Sequence, residues 1–221
     1  MTPVVFIHWG DYYSYLQLSL EQADRFGNNV FYVKGRQPIK YSMEVDRWFM
    51  LRDFMENFEL ERVAYFDSDV LLYKNVDEDF RDCDMAFSKS HSGHNMFVNN
   101  IKALDDFCYF IEWNINNVDL VSKCRQRLPE HIFADTVGDM VLLNNFMFQT
   151  NYFFRDTAKI IDNSVYDHNI NTSDGFDTFL GYKYFQWDRQ TPYVEKNGEV
   201  IRFNSIHFQG AAKPLMKGFC R

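Results

Sequence analysis

Three short apolar runs, separated by two helical patterns, constrain this chain before anything else does. "PVVFIHW" (3–9) ends at Gly10-Asp11 and reads as a buried strand. "YSYLQLSLEQADRF" then places Tyr15, Leu16, Leu20 and Ala23 at helical spacing, with Gly27 as a stop. "NVFYVKG" (29–35) is a second strand, and the proline of "RQPI" interrupts before the next helix. That helix is "EVDRWFMLRDFMENFEL" (44–60), where Val45, Trp48, Leu51, Met55 and Phe58 form one apolar stripe. "VAYF" (63–66) is the third strand. Strand, helix, strand, helix, strand within seventy residues predicts a parallel α/β sheet with right-handed crossovers.

The rest of the chain is less regular. "MAFSKS" and "HNMFVNN" read as short strands around a Ser/Gly/His turn, which assigns His91 and His94 to a surface loop. "IKALDDFCYFIEWNINNVDL" (101–120) predicts a long helix with Ile101, Leu104, Cys108, Ile111, Ile115 and Val118 facing the core. "DTVGDMVLLNNFMF" (135–148) predicts a shorter one, and turn signals such as "NTSDGF" and "EKNGEV" then separate short aromatic strands. With 221 residues and no repeat or linker, the expectation is one domain over 1–221. A net charge of −8 with no basic stripe argues against nucleic acid as a partner. The scattered Cys83, Cys108, Cys124 and Cys220 read as buried or free thiols. Neither a signal peptide nor an apolar run long enough to span a membrane is visible, so the expected setting is the cytoplasm, unless this chain is one part of a longer protein.

Asp67-Ser68-Asp69 carries the chemistry. The two carboxylates follow a strand directly, and in a parallel sheet ligands bind in the crevice beyond the strand C-terminal ends. Placed together there, they repel unless a cation or a proton compensates them, and a hard divalent ion suits them. A second triplet, Asp82-Cys83-Asp84, precedes an apolar run and is expected only to cap or flank it. Two enzyme classes place an aspartate pair this way: a phosphatase of the haloacid-dehalogenase type, with Asp67 as nucleophile and Asp69 as acid/base, and a sugar-nucleotide transferase, with the pair on a metal. A distant stretch, "FNSIHFQGAAKPLMKG" (203–218), favours the second. Its His207 is a nitrogen ligand suited to manganese, Gly210 permits close backbone approach, and Lys213 is a compact charge for phosphate.

In these motifs the chain resembles the GT-A-fold glycosyltransferases, especially the group that contains glycogenin and the lipopolysaccharide galactosyltransferases. The hallmarks are D-x-D after a strand and a C-terminal H-x-x-G-x-x-K-P. The resemblance implies an α/β fold: a single GT-A domain with a Rossmann-like, mostly parallel sheet flanked by helices and a smaller mixed acceptor-side sheet. It implies a nucleotide-sugar-binding half over 1–100, and an acceptor-side half with the C-terminal metal and phosphate motif over 101–221. It further implies a sugar transferase that uses Mn²⁺ or Mg²⁺, a nucleoside diphosphate sugar donor such as a UDP-sugar, and a glycan or other hydroxyl acceptor. Asp67, Asp69 and His207 would be the metal ligands. Tyr12 stands where the family's aromatic stacks on the base, and Asp11, Ser68, Gly210 and Lys213 fall among its nucleotide contacts. "RWFMLRDFM" is similar to the helix whose arginine reaches the nucleotide sugar, which carries over to Arg47. "GDMVLLNNF" is similar to the acceptor-side D-Q-D-x-L-N, from which only Asp139 carries over as a catalytic candidate; Met140 and Val141 depart from it.

From the residues alone, Arg47 could instead pair with Glu44 or Asp46, and Asp135 could act in place of Asp139. His91 and His94 could belong to the donor-sugar pocket instead of a surface loop, and His168 is expected to be structural. The phosphatase, and a non-catalytic nucleotide-sugar binder, remain the alternatives to a transferase.

Overall fold

The computed structural model describes residues 1–11, 14–37, 39–89, 91–127 and 137–220. Its first half follows the expected alternation: β1 (Pro3–His8), α1 (Ser14–Arg25), β2 (Asn29–Lys34), α2 (Met43–Asn57) and β3 (Val63–Phe66). β1 lies between β2 and β3, parallel to both. Alternate residues along the strands therefore serve opposite faces. Val4, Phe6, Ala64 and Phe66 pack against Leu16 and Ala23 of α1. Val5, Ile7, Val63 and Tyr65 pack against Val45, Trp48 and Leu51 of α2. The helices cover opposite faces, and the chain reverses its winding between β1 and β3. In such sheets that reversal opens a crevice at the strand C-terminal ends.

The chain continues through β4 (Val70–Leu72), β5 (Met85–Ser88), β6 (Ser92–Val98) and, after three helices, β7 (Phe154–Asp156). Six strands form the order β2-β1-β3-β6-β5-β7, and β6 alone runs against the others. β4 leaves for a second, five-stranded sheet, so Asp67–Asp69 is the turn at which the chain passes from one sheet to the other.

The intervening helices are α3 (Ile101–Asn114), α4 (Asp119–Arg125) and α5 (Asp139–Gln149). The helix expected over 101–120 thus breaks at Asn114. The asparagines there bond locally: the Asn114 side chain donates to the Phe110 carbonyl, and the Asn117 side chain accepts from the Asp119 amide. Val118 falls in the break and is exposed, as is Phe58 just beyond α2. The helix expected over 135–148 is described from Asp139 onward.

β8 (Ser164–Tyr166), β9 (Thr178–Phe179), β10 (Tyr182–Lys183), β11 (Gln186–Asp188), β12 (Thr191–Lys196) and β13 (Glu199–His207) complete the strands. β9 and β10 form a separate hairpin, whereas β13 joins β12, β8 and β4. The second sheet buries Leu71, Phe185, Ile201, Phe203 and Ile206 with Ala212 and Met216. The latter two come from a closing 3₁₀ turn (Gly210–Leu215) and α6 (Met216–Phe219). Among the described residues no helix is long and apolar enough to cross a membrane, and all four cysteines are free thiols.

Candidate metal and phosphate site

Strand register brings the two distant motifs together. In the parallel pair Phe6 faces Phe66, so His8 lies beside the residues that follow β3. Its Nδ1 accepts from the Ser68 hydroxyl at 3.0 Å, and its Nε2 donates to the Asp11 carbonyl at 3.1 Å. Burial lowers the His8 pKa, in keeping with this neutral ring. In the antiparallel pair Val70 faces His207, which sets the imidazole next to Asp69. The Phe208 amide donates to the Asp69 carbonyl at 2.9 Å and extends the ladder one step into the turn. At Gly210 the chain takes φ +60°, and an added Cβ would meet open space, so glycine serves backbone conformation here rather than relief of crowding within the protein. The 3₁₀ turn that follows returns Lys213 to Asp69.

Asp67, Asp69 and His207 offer one ligand atom each, all within 4.8 Å of one another. His207 Nδ1 donates to the His168 carbonyl at 2.8 Å, which leaves Nε2 facing Asp69 Oδ1, 3.5 Å away, a donor to that carboxylate when protonated and a metal ligand when not. An imidazole fixed by its other nitrogen in this way is the usual state of a ligating histidine. Lys213 Nζ lies 3.1 Å from Asp69 Oδ2 and over the ring of Tyr15. Burial alone would push the Asp69 carboxyl up; the hydrogen bond and charge of His207, with the Lys213 ammonium, outweigh it and hold the group low. For His207 burial acts downward, and Asp69 overcomes it to raise the pKa. Two carboxylates and an imidazole form a donor set that fits a manganese- or magnesium-like divalent ion.

Asp67 is oriented from the other side. Arg47 Nη1 and the Tyr65 hydroxyl both donate to its Oδ1, at 2.8 and 2.5 Å, which leaves Oδ2 for a cation. Burial, reinforced by Asp67, keeps the Tyr65 phenol protonated. The second Arg47 Nη donates to Asp139, so one buried guanidinium ties the aspartate turn to the start of α5. Burial raises the Asp139 pKa against the opposing pull of Arg47. Arg47 therefore pairs with neither Glu44 nor Asp46; Asp46 instead accepts from the amides of Lys40 and Tyr41.

Two chambers flank the cluster. One, of about 430 Å³, is lined by His8, Trp9, Tyr15, Met43 and Ser68. The other, of about 390 Å³, is lined by Ser92, His94, Asp139, Met140, Gln209 and Gly210. Glu44, Arg47, Asp67, Asp69 and Lys213 line both.

Of the expected site residues, Asp67, Asp69, His207, Lys213, Arg47, Asp139, Ser68 and Gly210 converge here. Asp11 sits exposed at the rim, where its carbonyl holds His8. Tyr12 and Asp135 lie outside the described residues. Val141 is core, which accounts for the absence of a carboxylate at that position. The second triplet is structural: Asp84 accepts from the Phe153 amide and the Asn100 side chain, and Asp82 pairs with Arg155. His91 and His94 correct the surface-loop expectation, because β6 begins at Ser92 and both are buried. His94 stacks on His207, with ring centroids 4.2 Å apart. Tyr65, His8 and Trp9 were not singled out from the sequence. For His8 and Trp9 the signal was available, since both stand at the C-terminal end of a parallel strand.

The fold and the cluster define a doubly wound α/β protein with a candidate metal centre at its crevice. No known protein family matches the chain, and no curated protein does. Among solved structures it aligns with a glycosyltransferase involved in glycosylation of the major capsid of PBCV-1, at a TM-score of 0.45 and 16% identity over 72% of this chain and 83% of that one. It also aligns with the glycosyltransferase GlyE of Streptococcus pneumoniae TIGR4, at 0.40 and 16% over 70% and 44%. A third is the galactosyltransferase LgtC in complex with donor and acceptor sugar analogues, at 0.38 and 13% over 66% and 70%. The aligned region spans less than half the length of GlyE. Likenesses this distant carry no weight for function, which rests on the site.

Proposed function

We propose that this protein is a metal-dependent glycosyltransferase of the GT-A type that moves a sugar from a nucleoside diphosphate sugar, a UDP-sugar, to a hydroxyl acceptor. The observation that carries the reading is the convergence of Asp67, Asp69 and His207 within 4.8 Å, with Lys213 3.1 Å from Asp69. The pairing of β4 with β13 brings the D-x-D turn and the H-x-x-G-x-x-K-P segment together, and a cation and a diphosphate account for the side chains they present there: two carboxylates, an imidazole and an ammonium. The cation is Mn²⁺ or Mg²⁺, held by Asp67, Asp69 and His207. When bound, it supplies Lewis-acid stabilisation of the charge that develops on the departing diphosphate.

The chain's own residues do the rest. Lys213 adds a positive charge beside the diphosphate, and Gly210 leaves the backbone open to its approach. Residues 1–100 form the nucleotide-sugar half, with Asp11, Tyr12 and Ser68 on the nucleotide side. Residues 101–221 form the acceptor half. Arg47 fixes Asp67 on one side and Asp139 on the other, and Asp139 faces the acceptor-side chamber as the catalytic candidate. The phosphatase alternative is disfavoured, because it needs Asp69 as an acid/base and the carboxyl is held low by its pairing with His207 and Lys213.

Calorimetry tests the proposal. UDP should bind at least tenfold more tightly with Mn²⁺ than with EDTA, because the diphosphate and the carboxylates repel without a bridging cation. Asp69→Ala should abolish that difference, and Asp84→Ala should leave it intact. Equal affinity under both conditions in the unaltered protein overturns the site as described.

A further inference from the structure

We infer that Glu44 reads the sugar being transferred and selects a neutral sugar with free hydroxyls over one that carries a carboxylate; the inference rests on the glycosyltransferase reading. A group that passes from the nucleotide side to the acceptor side must lie against the wall the two chambers share, which is made by Glu44, Arg47, Asp67, Asp69 and Lys213. Four of these are engaged. Asp67 is held by Arg47 and Tyr65, Asp69 by His207 and Lys213, and Arg47 is divided between Asp67 and Asp139. Glu44 is exposed on the first turn of α2 and, among the described residues, makes neither an ion pair nor a hydrogen bond. It stands three residues before Arg47, on the same side of the helix.

A carboxylate accepts hydrogen bonds and donates none, so its natural partners in this position are the hydroxyls of a sugar. The same charge disfavours a uronic acid. Asp67 and Asp69 already stand along this wall and Asp139 beside it; Arg47 is divided between Asp67 and Asp139, and the metal and Lys213 serve the diphosphate, so a carboxylate on the sugar would meet Glu44 without a cation of its own. Glu44 also occupies a helix N-terminal position that suits a carboxylate by itself. That role would alter stability and leave ligand preference unchanged, which separates the two.

The test is calorimetry with Mn²⁺ on the unaltered protein and on Glu44→Gln, using UDP, UDP-glucose, UDP-galactose and UDP-glucuronate as probes. The unaltered protein should bind at least one neutral UDP-sugar tenfold or more tightly than UDP-glucuronate. Glu44→Gln, which keeps the shape and removes the charge, should narrow that gap at least threefold while its affinity for UDP stays within twofold. An unchanged gap in the variant, a loss of UDP affinity equal to that for the UDP-sugars, or a preference of the unaltered protein for the uronate would each overturn the role of Glu44. Failure of the unaltered protein to bind UDP at all would instead bring down the glycosyltransferase reading, and this inference with it.

Discussion

Asp69 sits between His207 and Lys213, and the two are not equivalent. His207 presents a neutral nitrogen to a metal once its proton leaves, whereas Lys213 can only offer charge. Replacing either with alanine should therefore lower transfer by about 10²–10³, the usual effect of removing one electrostatic partner of a developing anion. Raising Mn²⁺ should partly rescue His207→Ala, because mass action refills a weakened site. It should not rescue Lys213→Ala, whose Mn²⁺ affinity, read by calorimetry, should not fall. Identical rescue of both variants would remove the distinction. These residues were legible in the sequence because each motif is local and its spacing is characteristic. The Arg47–Asp139 pair was not, since an ion pair across 92 residues leaves no local trace. In the sequence Glu44 reads only as a partner for Arg47, and nothing in a helix's first turn distinguishes a charge that faces a chamber from one that faces solvent.

The elements hold the site by close approach, and β6 against α2 is one case. A Cβ on Gly93 would stand 2.7 Å from the Trp48 ring and 3.1 Å from Arg47 Nη2. Trp48 is fully buried against Phe107, so it has little room to yield. Gly93→Ala should destabilise the protein by about 1–3 kcal/mol, the usual cost of overpacking a well-filled core, as a lower urea midpoint with an unchanged slope. It should also weaken Mn²⁺ binding, because Arg47 orients Asp67. An unaltered midpoint would mean that the indole moves freely. The same glycine explains why the second half of the sheet was harder to read than the first. Ser92-Gly93-His94 has the composition of a turn, yet the glycine is there to admit a tryptophan and the histidine is core. The first seventy residues were legible because each strand there is apolar on both faces and each helix amphipathic. In the second half, short strands take their place from pairing with distant partners rather than from their own pattern.

Over the whole molecule the two sheets are joined behind the metal cluster by buried polar groups, and these make stability depend on pH. Asp167 pairs with Lys183 and accepts from the His207 amide, and Lys183 and Lys89 both reach Asp174. The neighbouring His168 accepts from the Ser88 hydroxyl at 2.9 Å, and burial, aided by Lys89, lowers its pKa to about 3. His94 is likewise held well below its ordinary value, first by burial and then by His207. Both rings are thus neutral in the folded protein, whereas in the unfolded chain both take a proton below about pH 6.5. The unfolded state then binds more protons, and stability falls as the pH drops from 6.5 toward 3, at up to about 1.4 kcal/mol per pH unit for each such proton. His207 works in a different window. Its pKa is raised by Asp69, so its contribution is fully present below 6.5 and is lost only as the pH rises through that raised value. Below 6.5 His207 therefore adds no slope; the loss in acid is carried by His168 and His94, and the buried Asp139 and Asp167 carboxyls, raised by burial, oppose it where they take up protons. Urea unfolding in EDTA, between pH 7 and 5, should show this decline, and His168→Asn, which keeps a partner for Ser88, should flatten it by about one proton. If the variant declines as steeply as the unaltered protein, His168 is not buried neutral at the junction of the sheets, and the acid sensitivity must come from groups elsewhere.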